Sequence, residues 1–197
     1  RLPTAAAVAA IEVRAGEEVY FSVGDIKDCF HHIRAPAALR SKFRLPKVKA
    51  KFVGITELNG KKVSPNTLLT PCLSVIPMGW AWSLWIAQEC HESIMRAGGI
   101  EEDRIVKDRH LPIVLNRDDG GAAVYVDNYF FASHNPRVAG EHASRHSSLL
   151  TGNNLPVHEV EHEVVQTKFA GLDFDGRSAR VRVSLKRLWR LRFAIDF

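Results

Sequence analysis

The sequence predicts a mixed α+β domain, and two kinds of observation point to that class. Short runs of aromatic and β-branched residues lie between glycines, as in buried strands, while longer stretches repeat apolar residues at helical spacing. The dipeptides Asn59-Gly60 and Asp175-Gly176 favour tight hairpin turns, because these residue types tolerate positive φ. Hairpins join strands in antiparallel order, so helices and antiparallel strands are expected to share one core.

Apolar runs and turn residues divide the chain into predicted elements. The predicted helices cover residues 4–15, 80–97, 136–150 and 184–197, the last of them basic and the start of a following helix. The predicted strands cover residues 19–23, 42–45, 122–126, 129–132, 166–174 and 179–183. Two stretches are expected to leave the domain surface, a hairpin excursion at 46–70 and a charged, glycine-containing excursion at 98–121.

Length and composition are those of a globular protein with one core. The 197 residues are 46% hydrophobic and 25% charged, which excludes a disordered or disulfide-stapled chain and predicts a single domain over 1–197. Three cysteines cannot form a disulfide framework, so reduced thiols are expected in an intracellular protein of the cytoplasm or nucleus. No apolar run reaches the roughly 18 residues of a membrane span. The net charge of +5 favours a polyanionic partner.

Two aspartates follow predicted buried strands. Asp25 lies just after the strand at 19–23. Asp127 lies with Asn128 at the predicted tip of the hairpin between 122–126 and 129–132. Buried carboxylates are costly unless they are hydrogen-bonded, paired or bound to a cation. If the two strands are neighbours in one sheet, both carboxylates can hold a pair of Mg²⁺ ions suited to nucleotidyl transfer. The alternative is that each aspartate merely serves a turn.

Five segments resemble, in order, the motifs of reverse transcriptases. They are residues 21–33 (motif A), 42–46 (the strand after it), 76–80 (motif B), 125–128 (the Tyr-x-Asp-Asp box of motif C) and 168–172 (the primer-grip hairpin of motif E). The resemblance covers most of the chain. It implies the palm of an RNA-directed DNA polymerase from a retrotransposon or other retroelement, an antiparallel sheet packed on helices. It further implies a piece of a longer enzyme, with the fingers incomplete and the thumb missing.

The resemblance also implies the chemistry and the partners. Asp25 and Asp127 would be catalytic and, with the backbone carbonyl of Ile26, would hold Mg²⁺ or Mn²⁺. The partners would be an RNA or DNA template with its primer and deoxynucleoside triphosphates, with no membrane involved.

Three residues would contact the incoming nucleotide if the resemblance holds. Phe30 would lie under the sugar and exclude a 2′-hydroxyl, although it can equally pack beside the sheet. Gly79 would permit a close backbone approach, although a glycine is also common where a helix begins. Met78 stands beside it, where motif B usually has glutamine.

Four further residues would lie near the primer or template. Tyr125 would support the primer end, and Asn128 replaces the second aspartate of the motif C box. Lys168 and Phe169 would lie beside the primer backbone. The alternatives are a core tyrosine for the first and an ordinary strand pair for the last two.

Two other interpretations stay open at the level of sequence. A decayed palm would bind nucleic acid without catalysis, and the seven basic residues in 177–197, against one acid, could contact phosphates or form a solvated helix face. Residues 158–162 match His-Glu-x-x-His, a zinc hydrolase signature that requires a helix so that both imidazoles share one face.

Overall fold

The computed structural model describes residues 2–195, which divide into two compact units. The first unit is the chain up to Cys29 together with the chain from Leu84 onward, and the second is Phe30–Ser83. Residue 1 of the predicted domain and residues 196 and 197 of the last predicted helix lie outside the described residues.

The structure contains helices and antiparallel sheets, so the predicted α+β class is confirmed. The helices are α1 (Ala5–Ala9), α2 (Cys29–His32), α3 (Ala37–Arg40), α4 (Ser83–Ala97), α5 (Pro136–Gly152) and α6 (Leu185–Ile195). The strands are β1 (Tyr20–Ile26), β2 (Val48–Lys49), β3 (Glu57–Leu58), β4 (Lys61–Lys62), β5 (Leu68–Leu69), β6 (Gly121–Tyr125), β7 (Asn128–Ser133), β8 (Val157–Val164), β9 (Gln166–Phe169), β10 (Leu172–Asp175) and β11 (Arg180–Val183). Within residues 2–195, every helix is too short or too polar to cross a membrane.

The first unit is built around a four-stranded antiparallel sheet with the order β6-β7-β1-β8. Side chains of β7 alternate between the two faces of this sheet. On one face, Tyr129 and Phe131 pack against His146 of α5, with ring centroids 5.0 and 5.7 Å from the imidazole. On the other face, Phe130 packs against Phe21 of β1 at 5.5 Å. Strands β1, β6 and β7 are therefore covered on both sides, which explains their continuous apolar runs, whereas β8 is largely exposed.

A second sheet closes the core beneath Phe130. Its order is β11-β10-β9, and the rings of Phe169 and Phe174 lie 5.1 and 5.0 Å from that of Phe130. Each fully buried aromatic ring of this kind contributes about 1.5–3 kcal/mol by leaving water. The predicted strand at 166–174 is in fact two strands, because Ala170 and Gly171 adopt positive φ and reverse the chain.

The second unit holds two short hairpin-like sheets, β2 with β5 and β3 with β4. The turn between β3 and β4 has φ of 52° at Asn59 and 74° at Gly60, so the predicted hairpin at that dipeptide is confirmed. The predicted strand at 42–45 is reduced to one bridge between Arg44 and Cys72. Residues 30–83 carry nine lysines and arginines against one acid, Glu57, so the basic excess extends beyond the last 21 residues.

Helix α1 is shorter than the sequence predicts. Thr4 caps it, accepting a hydrogen bond from the amide of Ala7 at 3.2 Å. The helix ends at Ala9 because the next residues are drawn into a bridge. The Glu12 amide donates to the Ile113 carbonyl at 2.8 Å, and the Glu12 carbonyl accepts from the Leu115 amide at 2.9 Å.

The stretch 98–121 differs from the expected surface excursion. Ile105, Val106, Ile113 and Leu115 are all buried, three of them within the main apolar cluster of the unit. The segment also pairs in parallel with the sheet through Ile105 and Ala122. Its many charged residues and glycines conceal these four anchors in the sequence, because isolated apolar residues in a polar stretch form no periodic pattern.

Replacing Gly24 by alanine is expected to destabilise the first unit by about 1–3 kcal/mol. A Cβ atom at Gly24 would overlap Tyr129 Oη, and that ring is buried and held by a hydrogen bond to Ser147 Oγ at 2.6 Å. Urea unfolding of Gly24→Ala measures the loss. Gly152→Ala, at a position open to solvent in the last turn of α5, is the matched control and should change stability by less than about 1 kcal/mol. Equal midpoints for the two variants would contradict the close approach at Gly24.

Candidate functional site

Asp25 and Asp127 come together at one edge of the four-stranded sheet. Strands β1 and β7 are neighbours, and the Ile26 amide donates to the Asp127 carbonyl at 2.9 Å. The β6–β7 turn consists of Val126 and Asp127, one residue earlier than predicted. Asn128 therefore begins β7, where it pairs with Asp25 across the sheet. The sequence-based condition that the two strands be adjacent is met.

The Asp25 carboxylate has one satisfied and one unsatisfied oxygen. Its Oδ2 accepts a hydrogen bond from His158 Nε2 at 2.8 Å. Its Oδ1 is buried and has no hydrogen-bond partner among residues 2–195. Burial raises the pKa of Asp25, the neighbouring Asp127 raises it further, and the hydrogen bond from His158 opposes both effects. An unpartnered, buried carboxylate oxygen of this kind is suited to a cation.

Cys29 lies close enough to the two aspartates to be affected by them. Its thiol is buried, and burial together with the charges of Asp127 and Asp25 raises its pKa to about 12. The thiol therefore stays protonated near neutral pH, and it neither adds a charge to the site nor acts as a nucleophile.

Helix α4 holds the turn that carries Asp127. Gln88 Oε1 accepts from the Val126 amide at 2.8 Å, and Gln88 Nε2 donates to the Val124 carbonyl at 2.9 Å. His91 Nδ1 donates to the Val126 carbonyl, also at 2.9 Å. Val126 has φ of 60°, a left-handed conformation that is strained for a β-branched residue. The two side chains of α4 satisfy both backbone polar groups of Val126 and so fix the strained turn.

Two further contacts support α4 from below. His91 Nε2 accepts from His146 Nε2 at 2.9 Å, and the two imidazole planes are parallel with ring centroids 5.0 Å apart. Both histidines are almost fully buried. Glu92, also buried, pairs with Lys107 at 2.9 Å and accepts from Gln88 Nε2 at 2.6 Å. Helix α4, which holds the turn, is thus itself fixed by α5 and by the segment 98–121.

Strand β8 carries the His-Glu-x-x-His sequence, and its conformation excludes the zinc interpretation. The motif requires a helix, whereas His158 and His162 lie in one extended strand, where residues four apart are separated by roughly 13 Å. No group of three or more His, Cys, Asp or Glu side chains able to hold a metal ion occurs in the part of the chain that the structure describes.

A cleft of about 710 Å³ runs from Asp25 along the second sheet. Its walls carry both signs of charge, with Glu159 and Glu161 of β8 near the aspartate and Lys168, Arg180 and Arg182 on the β9–β11 side; the apolar residues include Val23, Phe169 and Phe174. Asp173 and Asp175 of β10 line the same side and stand opposite Arg182 and Arg180 in the strand register. The three basic side chains can contact a polyanion, although acidic residues line the cleft beside them.

The residues predicted near the primer have mixed positions. Tyr125 is half-exposed and pairs with Asn128 in the β6–β7 hairpin. Asn128 Nδ2 donates to Asp127 Oδ1 at 2.9 Å, and both Asn128 and Lys168 line the cleft. Phe169 is buried and packs on Phe130, so most of its ring belongs to the core.

The residues predicted to contact the nucleotide belong to the second unit or to its boundary. Phe30 lies in α2 and is half-buried. Met78 is 78% exposed, and the neighbouring Gly79 has φ of 94°, which favours glycine at that position. The turn at Gly79 leads toward α4, with the Trp80 amide donating to the Pro77 carbonyl at 3.2 Å.

Sequence reasoning missed three residues of the site. Gln88 and His91 are three residues apart on one face of α4. This spacing indicates that they contact the same neighbouring segment, but it does not identify that segment as the turn at Val126. His158 was interpreted within a metal motif, and its partner Asp25 is 133 residues away. Only the sheet order brings β8 beside β1.

Comparison with known proteins finds a solved structure with a similar fold. No family model matches the sequence, and no curated protein matches it. A solved structure described as the foamy viral protease-reverse transcriptase in complex with RNA/DNA hybrid is similar, with a TM-score of 0.60 and 12% identity. The match covers 98% of this chain and 20% of that one, so the chain spans about a fifth of its length. At this identity the likeness is one of fold, and the fold is similar to that of a reverse transcriptase.

The buried histidine pair predicts that stability falls in mild acid. Burial lowers the pKa of His91 to about 4 and that of His146 to about 3, whereas in the unfolded chain both titrate near their ordinary value of about 6.5. As pH falls from about 6.5 toward 4, the unfolded chain binds protons that the folded chain does not, so the free energy of unfolding decreases. Above about pH 7 this stabilising contribution is complete.

Urea midpoints measured between about pH 8 and pH 4.5 test this dependence. His146→Phe keeps a ring in the aromatic cluster but removes one of the two titrating groups. This variant should lose about half of the pH dependence, whatever its stability at pH 8. A slope unchanged from that of the wild-type protein would show that the pair does not cause the effect.

Proposed function

We propose that this chain carries the catalytic centre of an RNA-directed DNA polymerase of retroelement type, which adds deoxynucleotides to a primer on a template. The observation that carries the proposal is the meeting of Asp25 and Asp127 on paired strands, with a buried carboxylate oxygen left unpartnered. The reverse-transcriptase-like fold supports it, as do five sequence segments in the order of that family's motifs.

The donors at this edge fit a hard divalent cation. Asp25, Asp127 and the backbone carbonyl of Ile26 offer only oxygen atoms, which suit Mg²⁺ or Mn²⁺. Mg²⁺ commonly keeps several ligands from outside the protein, so two carboxylates fit an ion whose remaining ligands are water and substrate phosphate oxygens. When bound, such ions activate the attacking hydroxyl and stabilise the leaving oxygen.

The remaining residues in this proposal bind and orient the substrates. Lys168, Arg180 and Arg182 line the cleft that starts at Asp25, and we assign them to the backbone of a primer–template duplex. The tyrosine before the turn, Tyr125, is half-exposed beside Asp127 and supports the primer end. Phe30, Met78 and Gly79 are proposed to contact the incoming nucleotide, with Phe30 excluding a 2′-hydroxyl.

One observation favours a second candidate, a palm that binds nucleic acid without catalysis. Asn128 stands in place of a second aspartate, and its amide donates to Asp127 Oδ1, occupying one oxygen of a proposed metal ligand. In this case Lys168, Arg180 and Arg182 would retain a salt-sensitive affinity for a primer–template, while the carboxylates would no longer support transfer.

Primer extension by the natural full-length protein tests the first proposal. With an RNA template, a DNA primer, deoxynucleoside triphosphates and Mg²⁺, we expect extension that stops when the ion is chelated. Asp25→Asn and Asp127→Asn should each reduce the rate by about 10³-fold or more, because each removes charge stabilisation at the transition state. Glu57→Gln, an acidic residue of the second unit outside the site, is the control and should extend as the wild type does.

Binding of the same primer–template is measured in parallel as a function of salt. Extension that survives in both aspartate variants would overturn the assignment of the site. Salt-sensitive binding without any extension by the wild-type protein would favour the second candidate.

A further inference from the structure

Strand β8 does not run in simple register beside β1. Phe21, Val23 and Asp25 of β1 pair in turn with Val164, Glu161 and His158 of β8. Each step of two residues along β1 therefore corresponds to a step of three residues along β8. Each offset is a β-bulge. Glu163 and Glu159 have φ of 55° and 51°, a conformation that is uncommon outside glycine. Bulges next to functional sites often re-aim a side chain, and the second of these two lies beside Asp25.

The second bulge decides which side chain lies opposite Asp25. Continuing the pairing of Val23 with Glu161 in regular register would place Glu159 opposite Asp25, one carboxylate against another. The extra residue places His158 there instead, and its Nε2 donates to Asp25 Oδ2 at 2.8 Å. The left-handed backbone at Glu159 is a strained conformation for a residue that has a Cβ atom. The strained backbone of β8 thus places a hydrogen-bond donor, His158, opposite Asp25 in place of the repelling carboxylate of Glu159.

The contact leaves the two carboxylate oxygens of Asp25 with different tasks. An ionised carboxylate only accepts hydrogen bonds, so His158 Nε2 carries the proton that is shared with Oδ2. Asp25 lines the cleft, and the side chains of Asp25 and His158 are 21% and 40% exposed. Oδ1 has no partner within residues 2–195 and is the oxygen left for another ligand.

We propose that His158 is a positioning residue for Asp25: it holds Oδ2 and thereby fixes the carboxylate so that Oδ1 is available to a divalent cation. This inference rests on the proposed function in assigning the cation to Asp25. Hydrogen bonds that orient a metal-binding carboxylate typically change metal affinity by about 10–100-fold when they are removed.

Mn²⁺ binding to the natural full-length protein, measured by electron paramagnetic resonance without nucleotide, tests the proposal apart from catalysis. His158→Ala should weaken Mn²⁺ binding by roughly 10–100-fold. His158→Gln places an amide donor near the position of Nε2 and should restore most of the affinity. His162→Ala removes an exposed histidine from the same strand and should bind Mn²⁺ as the wild type does.

Primer extension against metal concentration supplies the second readout. In His158→Ala the half-saturating Mg²⁺ concentration should rise, while the rate at saturating Mg²⁺ stays within about threefold of wild type. Thermal melting of each variant shows whether it is folded. If His158→Ala does not fold, the metal dependence of His158→Gln tests the positioning role instead.

The outcomes separate this inference from the proposed function. Unchanged Mn²⁺ affinity in folded His158→Ala, or no rescue by His158→Gln, would overturn the positioning role even if the protein extends primers. Wild-type Mn²⁺ affinity in Asp25→Asn would overturn it too, because no cation would then depend on Asp25. Mn²⁺ binding that needs both Asp25 and His158, in a protein that extends no primer, would support the positioning role and refute the polymerase.

Discussion

The repulsion between two carboxylates at one sheet edge is the constraint that organises this structure. Asp25 and Asp127 lie on neighbouring strands, and burial and mutual charge both raise the pKa of Asp25. The surrounding polar groups reduce this penalty. His158 donates to Asp25, and the amide of Asn128 donates to Asp127. Because Asn128 is the cross-strand partner of Asp25, an aspartate at that position would place a third carboxylate directly opposite it.

The position of Asp127 depends on a strained turn that is stabilised by side chains from outside the turn. A two-residue turn with positive φ at its first residue normally has glycine there, and here it has Val126. The strain persists because Gln88 and His91 bind the amide and the carbonyl of that residue. Both side chains come from α4, which is fixed in turn by the buried histidine of α5. The site thus extends into the helical layer, well beyond its two acids.

The sequence predicts the elements that depend on local patterns and misses the contacts that depend on topology. The hairpin at Asn59-Gly60, the helix over 136–150 and the β6–β7 hairpin follow from residue type and spacing, and the structure confirms them. The extra reversal at Ala170-Gly171 does not follow from local pattern, because alanine at positive φ gives no signal in a sequence, and only the resemblance of 168–172 to the primer-grip hairpin implies it. The partnership of Asp25 with His158 was invisible, since it arises from the β1–β8 pairing and from a bulge that no periodicity reveals.

The distribution of charge connects these local features to the proposed substrate. The net charge of +5 conceals a strongly basic segment at 30–83 and another at the C-terminal end, so the rest of the chain, which carries both aspartates, is acidic. A polyanion that reaches the carboxylates is repelled by them unless cations intervene. The cleft meets this requirement only in part, because Lys168, Arg180 and Arg182 share the second sheet with Asp173 and Asp175, and Glu159 and Glu161 on β8 form an acidic side. Divalent ions at Asp25 would supply the missing positive charge on the acidic side, so cation binding and nucleic-acid binding at this edge are expected to reinforce each other.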